Sequence, residues 1–498
     1  MSQPAELLTS PASRPADPAR VTRPELWALA AIVAAGAFLR FREAAATPLW
    51  FDEIFTLWVS RQGPAGIAHV LSQDLHPPLH FLLTWLWRGL GGEGDLWIKS
   101  LSILFGLLTL PVLWGFVREL FGRRAALLAA LLLALHPVHI AFSHEGRAYG
   151  LMWLLVTLAV WTGWRWIERG RVRDGLAFVL SATAALYSLY WAVAPLGFLG
   201  LWGLVALRRR PRGLAGWIAL HLAVAVLFAP QLVTLIHQAR RYHGEHWLSL
   251  ATVRNLFDWA RHLAYGGRLL VAPLFALAVL PLFRARERRA AGMLWLVAFV
   301  PVGAVWALAV TREPLFLERY MDFVLPAWCA LLAAGIAGLR RGAVRWPVAA
   351  AVVLLGARAA LLHRPLPEAV QLGQATGFLR AHAHPGDLVF FADTHSLLFF
   401  RHHAPQLRRQ YLLLDDPRLP YYSMPALVPQ EWRATPDDWR RARERGERWW
   451  AVRTVHSGRQ TTAIRALLDS AAVSKPFVTD MVTVWAGQET PPASAATK

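Results

Sequence analysis

The chain has one cysteine, Cys329, in 498 residues. That excludes a disulfide framework and any cysteine-rich metal site. Charge is scarce too: 17% of residues are charged and 56% are hydrophobic. A disordered basic tail lacks such apolar content. Tyrosine is sparse, with 9 residues against 25 Trp. What is abundant is arginine, and the formal charge is +20 with a pI near 11.2. A soluble nucleic-acid binder does not combine that charge with a mean hydropathy of +0.35, so nucleic acid is excluded as a partner. What remains is a polytopic membrane protein whose basic residues gather at one membrane face beside anionic lipid head groups.

A spanning helix needs about 20 mostly apolar residues. Such stretches predict eleven spans, at 25–43, 100–117, 125–142, 150–164, 175–190, 192–207, 214–235, 269–283, 290–310, 320–339 and 347–362. Five knots between them, 118–124, 165–173, 208–213, 284–289 and 340–346, hold 18 Arg in 35 residues. The other loops, 44–99, 143–149, 236–267 and 311–319, hold ten Lys or Arg in 104 residues. Eleven spans place all five knots on one side, with a disordered cytoplasmic arm at 1–23. The apolar stretch 76–90 is short for a span, and a crossing there would put the arm opposite the knots. It is therefore expected as an interfacial or re-entrant helix on the outer side. Basic knots flank 175–207 at both ends, so that stretch must go out and return, turning near Tyr190-Trp191.

After residue 363 the pattern changes. Short strands are expected at Leu388–Ala392, Tyr411–Leu414, Trp449–Val455 and Met481–Trp485, and helices at 368–382, 395–402, 435–445 and 460–472. The fold class is thus mainly α: a bundle of about eleven transmembrane helices with outer-face juxtamembrane helices and a small α/β extracytoplasmic domain at 363–490. That domain is large enough for its own core. It has no Gly-rich phosphate loop, which argues against a nucleotide site. Residues 491–498 read as a disordered tail. The expected location is a bacterial inner (plasma) membrane, with the N-terminus cytoplasmic and the C-terminal domain outside.

The unusual polar motifs all fall on the expected outer face. Asp52 and Glu53 follow Leu49-Trp50-Phe51 in the first outer loop, 44–99. Acids in an apolar boundary setting are costly without a role, although Asp is also an ordinary helix cap. Asp74-Leu75-His76-Pro77-Pro78-Leu79-His80 opens the next helix. His76 and His80 without a third ligand make a poor metal pair. Ser143-His144-Glu145-Gly146-Arg147-Ala148-Tyr149 is a short polar turn. In it Arg147 suits an anionic phosphate, or pairs simply with Glu145. Glu318-Arg319-Tyr320 begins a later span, where a snorkelling Arg beside an aromatic belt is the plain alternative. Arg40 and Arg42 lie against the charge rule at the outer end of the first span. An acid among several cations at a lipid boundary suits an anionic lipid-linked substrate.

Together these residues resemble the C-type glycosyltransferases. The motifs are Phe38-Leu39-Arg40, Leu49-Trp50-Phe51-Asp52-Glu53, His76-Pro77-Pro78-Leu79, Ser143 to Tyr149, and Glu318-Arg319-Tyr320 with Pro326. The protein O-mannosyltransferases and lipid A aminoarabinose transferases are the nearer kin. The resemblance covers residues 26–340. It implies transfer of a sugar from a polyprenyl-phosphate carrier to an acceptor on the outer face. Asp52 is then the catalytic general base acting with inversion, with Glu53 as its catalytic-site neighbour in a positioning or acceptor-binding role. Arg147, Arg319, Arg40 and His76 are the expected phosphate ligands. Tyr149, Tyr320, His80 and Glu145 are expected to contact substrate. Relatives place other residues between Ser143 and Arg147, so His144-Glu145-Gly146 is a departure. The leaving phosphate already carries charge, so electrostatic stabilisation suffices and no obligatory metal or cofactor is expected. The acceptor is left open between glycolipid, cell-surface glycan and protein. A lipid or polysaccharide transporter, or a non-catalytic scaffold, is the alternative class. The sequence shows no clear inverted repeat of the transporter kind.

Overall fold

Long apolar runs bounded by Gly, Pro and Arg form the helices. The computed structural model describes residues 21–241, 250–312, 315–363, 367–414, 428–454 and 474–487. The arm before residue 21, the helix expected at 460–472 and the tail 491–498 lie outside the described residues.

The bundle begins with α1 (Arg23–Ala46). Three short helices follow, α2 (Phe51–Arg61), α3 (Gly63–Ser72) and α4 (Leu79–Gly91). Next come α5 (Asp95–Phe121), α6 (Arg123–Ala134), α7 (Pro137–His144) and α8 (Tyr149–Arg169). Then α9 (Val172–Ser188), α10 (Val193–Leu207), α11 (Pro211–Arg241) and α12 (Val253–Leu263). The bundle closes with α13 (Val271–Val279), α14 (Arg288–Thr311), α15 (Leu325–Ala337) and α16 (Gly342–Leu362).

Each of the eleven expected spans coincides with a helix or a bent helix pair. Among the described residues six helices are long and apolar enough to cross a membrane, or up to eight if each bent pair counts. The bent pairs are α6 with α7, at 58°, and α12 with the stretch Arg268–Phe283, at 82°. The expected spans that fall short have physical reasons. Helix α8 is rich in Trp, whose indole lowers hydropathy, and α9 and α15 are only 17 and 13 residues long. Helix α4, at 13 residues, is too short to cross. The turn expected near Tyr190-Trp191 is a 3-10 turn, Tyr190–Ala192. The chain is a multi-pass membrane protein.

Two features bind the bundle. At the Arg-knot end, Glu25 of α1 meets Arg118 and Arg123, at 2.9 and 3.4 Å. Glu119 meets Arg165 and Arg169, at 2.7 and 2.6 Å, and Glu168 meets Arg289, at 2.7 Å. These pairs join α1, α5, α6, α8 and α14 where the basic loops gather. Inside, indole N–H groups donate to carbonyls at helix breaks. Trp153 reaches the Asp322 carbonyl at 2.7 Å and Trp328 that of Leu263 at 3.0 Å. In an apolar medium a free carbonyl is costly, and the Trp donors satisfy it.

The C-terminal domain is a six-stranded sheet of order β3-β2-β1-β4-β6-β5. Its strands are β1 (Leu388–Phe391), β2 (Arg409–Leu413), β3 (Arg433–Ala434), β4 (Trp449–Thr454), β5 (Ser474–Val478) and β6 (Val482–Ala486). The first four are parallel, while β6 runs antiparallel to β4 and β5. Helices α17 (Pro367–His382), α18 (Thr394–His403) and α19 (Pro436–Glu444) complete it. Alternation sorts the strand side chains. Phe390, Trp449 and Trp485 join Trp439 of α19 on one face. Val389, Phe391, Trp450 and Val484 point to the other face, where they share one core with Leu49, Ile54, Phe55, Leu57, Ile67 and Phe81. The expected self-contained domain core is therefore only half of what is found. The second layer is completed by α2, α3 and α4, so the domain seats the segment that carries Asp52.

Close approach of α5 and α8 positions the turn 145–148. A Cβ added at Gly150 would lie 2.6 Å from the Ser102 carbonyl oxygen and 3.2 Å from the Gly106 nitrogen. Both are backbone atoms that cannot step aside. Gly150→Val is expected to cost about 1–3 kcal/mol through overpacking. The check is a lowered thermal midpoint in detergent, with a normal midpoint contradicting this packing.

Candidate active site

The first turn of α2 carries the two acids, and they part at once. Glu53 is 1% exposed. One of its oxygens accepts the Trp50 N–H at 2.9 Å, and the other accepts the Gly146 N–H at 2.7 Å. Lys99 of α5 lies 3.9 Å from it and also bonds the Thr47 carbonyl and hydroxyl, at 2.9 and 2.8 Å. Burial pushes the Glu53 carboxyl above the usual carboxylate range, against the pull of Lys99 and the two N–H donors. Its oxygens are thus spent on joining the first loop to the turn 145–147. It does not face a cleft beside Asp52, as a second catalytic acid would.

Asp52 does reach partly open space. Its carboxylate lies 3.6 Å from the Arg319 guanidinium, with side-chain exposures of 22% and 26%. Arg319 arrives on a 3-10 turn, Glu318–Tyr320. Its Nε has no hydrogen-bond partner among the described residues. Arg147 approaches from the other side. It donates to the Asp52 carbonyl at 3.2 Å, to the Thr56 hydroxyl at 3.0 Å and to His76 Nε2 at 2.7 Å. His76 turns its Nδ1 to the Asp74 carboxylate. A carboxylate accepts, so Nδ1 carries the hydrogen and Nε2 is free to accept from Arg147. His80 is buried behind this group, 3.3 Å from the Ser102 hydroxyl, which itself donates to the Arg147 carbonyl. Burial, then Arg147 and His76, push the His80 imidazole down to about 3, so it is neutral.

Glu145 is buried, and one of its oxygens has no hydrogen-bond partner among the described residues. Burial first, then the Glu53 and Asp52 carboxylates, push it up to about 8 against the pull of Arg319 and Arg147. At neutral pH it holds a proton. Tyr149 packs on Phe142 with ring centroids 5.0 Å apart, and Tyr320 stacks on Trp191 at 5.4 Å.

Of the expected residues, the structure thus gathers Asp52, Arg147, Arg319, His76, His80, Glu145, Tyr149 and Tyr320 around one place. Arg40 is not among them. It is fully buried between α1 and α6–α7, bonded to the Gly36 and Ala134 carbonyls and to His139. Its partners belong to α1, α6 and α7, so it braces the bundle behind Ser143. Sequence reasoning missed Lys99, Thr56 and Ser102, and quoted Asp74 in its motif without giving it a role. Lys99 alone left a signal, being one of three lysines in the chain and set in an apolar run.

Residues 75–234 match the family model described as dolichyl-phosphate-mannose-protein mannosyltransferase. Among solved structures the chain is similar to ArnT from Cupriavidus metallidurans. For the apo form the identity is 16%, coverage is 94% of this chain and 99% of that one, and the TM-score is 0.64. For the form bound to undecaprenyl phosphate the values are 17%, 92%, 98% and 0.62. An oligosaccharyltransferase from Archaeoglobus fulgidus, in complex with zinc and sulfate, is similar at 11% identity over 86% of this chain and 68% of that one, with a TM-score of 0.50. No curated protein matches. The fold is that of the C-type glycosyltransferases.

The buried Glu145 carries a sign that can be measured. The folded protein keeps a proton that the unfolded chain releases in the ordinary carboxylate range. Its contribution to stability therefore falls as pH rises from that range through about 8. Infrared difference spectra across this range should show a protonated carboxyl band lost with a midpoint near 8, and Glu145→Gln should remove it. A wild type without that band contradicts the assignment.

Proposed function

We propose that the protein is an inverting glycosyltransferase of the plasma membrane of a bacterium. It takes a sugar from a polyprenyl-phosphate carrier and delivers it to an acceptor on the outer face. The observation that carries this reading is the Asp52–Arg319 pair, 3.6 Å apart and partly open, with Arg147 rooted beneath the same residue. The undecaprenyl phosphate bound by one ArnT structure of similar fold supports a lipid phosphate as the donor group, and the family matched over 75–234 supports sugar transfer.

In this reading the acceptor hydroxyl attacks the anomeric carbon and passes its proton to Asp52. The bond from that carbon to the phosphate oxygen breaks, and the lipid phosphate leaves with the electron pair. A phosphate needs charge more than a proton, so the cations stabilise its departure. Arg319 is the primary phosphate ligand, because its side chain is the more exposed of the two. Arg147 is already committed to α2 and His76, so it adds field and holds the Asp52 backbone in place. Glu53 acts as a positioning residue through Gly146. Protonated Glu145 can sit beside the phosphate without repelling it. Lone-base catalysis needs one ionised carboxylate rather than the pair used in glycoside hydrolysis.

The test is release of free undecaprenyl phosphate, together with glycosylated product, from vesicles charged with the lipid-linked sugars of the host membrane. Mass spectrometry reads both. Arg319→Ala is expected to lower transfer by about 10²–10³-fold and to raise KM for the donor lipid. Unchanged transfer in that variant contradicts the phosphate assignment, and a wild type that never releases the lipid phosphate contradicts the function.

A further inference from the structure

A second polar cluster lies apart from Asp52, at the seam between the first loop and the C-terminal domain. Asp95 opens α5, and His402 and His403 end α18. One Asp95 oxygen lies 3.1 Å from His402 Nε2, and the other lies 3.8 Å from His403 Nδ1. One ligand atom from each residue falls within 4.8 Å of the other two. A tetrahedral zinc site with bonds near 2.1 Å separates its ligand atoms by about 3.4 Å, and the observed spacings bracket that value.

The outer hydrogen bonds decide between an ion site and a plain Asp–His pair. His403 Nε2 bonds the Leu49 carbonyl at 2.9 Å. A carbonyl only accepts, so Nε2 carries the hydrogen. In the neutral ring Nδ1 is then a bare lone pair. That lone pair faces an Asp95 oxygen, which is also an acceptor. A hydrogen bond explains His402 and leaves His403 facing its neighbour with no hydrogen between them. A cation between the two acceptors removes the conflict. The same Asp95 oxygen accepts the Leu49 N–H at 3.0 Å. One residue, Leu49, thus orients two ligands through its N–H and its carbonyl, as outer partners do in metal sites. Two imidazoles with one carboxylate suit zinc, and Asp95, at 31% side-chain exposure, leaves room for water as the fourth ligand.

We propose that Asp95, His402 and His403 hold one divalent zinc-type ion. It clips the C-terminal domain to the start of α5 and, through Leu49, to the segment three residues before Asp52. The ion is a fastener outside the transfer step.

The full-length protein, purified in detergent without chelator, is assayed for bound metal by plasma mass spectrometry. About one zinc per chain is expected, with a loss of at least tenfold in the double variant His402→Ala/His403→Ala. Metal-stripped wild type is then titrated with cobalt(II) and should develop the intense visible bands of a tetrahedral site, which zinc abolishes. This titration needs no variant and decides the matter if the double variant fails to fold. A wild type with neither stoichiometric zinc nor cobalt bands overturns the proposal, as does a double variant that retains the metal. Sugar transfer is not the readout, so failure here leaves the reading of Asp52 and Arg319 separate.

Discussion

The site depends on one buried carboxylate. Glu53 takes two backbone N–H groups, from Trp50 in its own turn and from Gly146 far along the chain. Removing a buried acceptor of this kind leaves both donors orphaned, and each orphan costs about 1–3 kcal/mol. While the clamp holds, the first turn of α2 is registered against the turn 145–147. Asp52 and Arg147 then stand on opposite sides of that junction, and Arg319 closes on the acid from a third segment. The order is sequence-distant throughout, so the site exists only once the bundle and the C-terminal sheet have both assembled.

Arginine plays two roles, and position separates them. In the knots it meets Glu25, Glu119 and Glu168 and ties helix ends together. The knots, with 18 Arg against three Glu, carry most of the +20 charge. Arg147 and Arg319 stand at the opposite end of the same helices, where arginine is rare. There one is spent on α2 and His76, and the other keeps an unpartnered Nε. Protonated Glu145 limits the negative charge between them. The local balance therefore favours an incoming anion.

Much of the bundle was legible because a membrane crossing needs about 20 apolar residues and leaves a plain signal. Strands β1 and β4 were legible as short apolar runs, the pattern of strands buried on both faces. Strand β3, two residues long, has no period to read. Strand β5 holds Lys475 and Pro476 and is an edge strand, the place where proline is tolerated and the pattern weakest. Asp52, Arg147 and Arg319 stood out as charges in apolar settings. The fate of Glu53 did not, because its deciding partner is 93 residues away. Arg40 looked like its functional neighbours in sequence, yet helix packing turns it inward onto carbonyls. The shared core of the sheet with α2–α4 was hidden because an amphipathic face does not name its partner.

The most direct measurement compares the wild type with Asp52→Asn, which keeps size and removes charge. Sugar transfer from the polyprenyl-phosphate donor and binding of undecaprenyl phosphate are measured on the same preparations. The account requires transfer to fall by about 10²–10⁴-fold, the usual contribution of a general base, while lipid-phosphate binding is kept. Transfer at the wild-type rate in Asp52→Asn would contradict it.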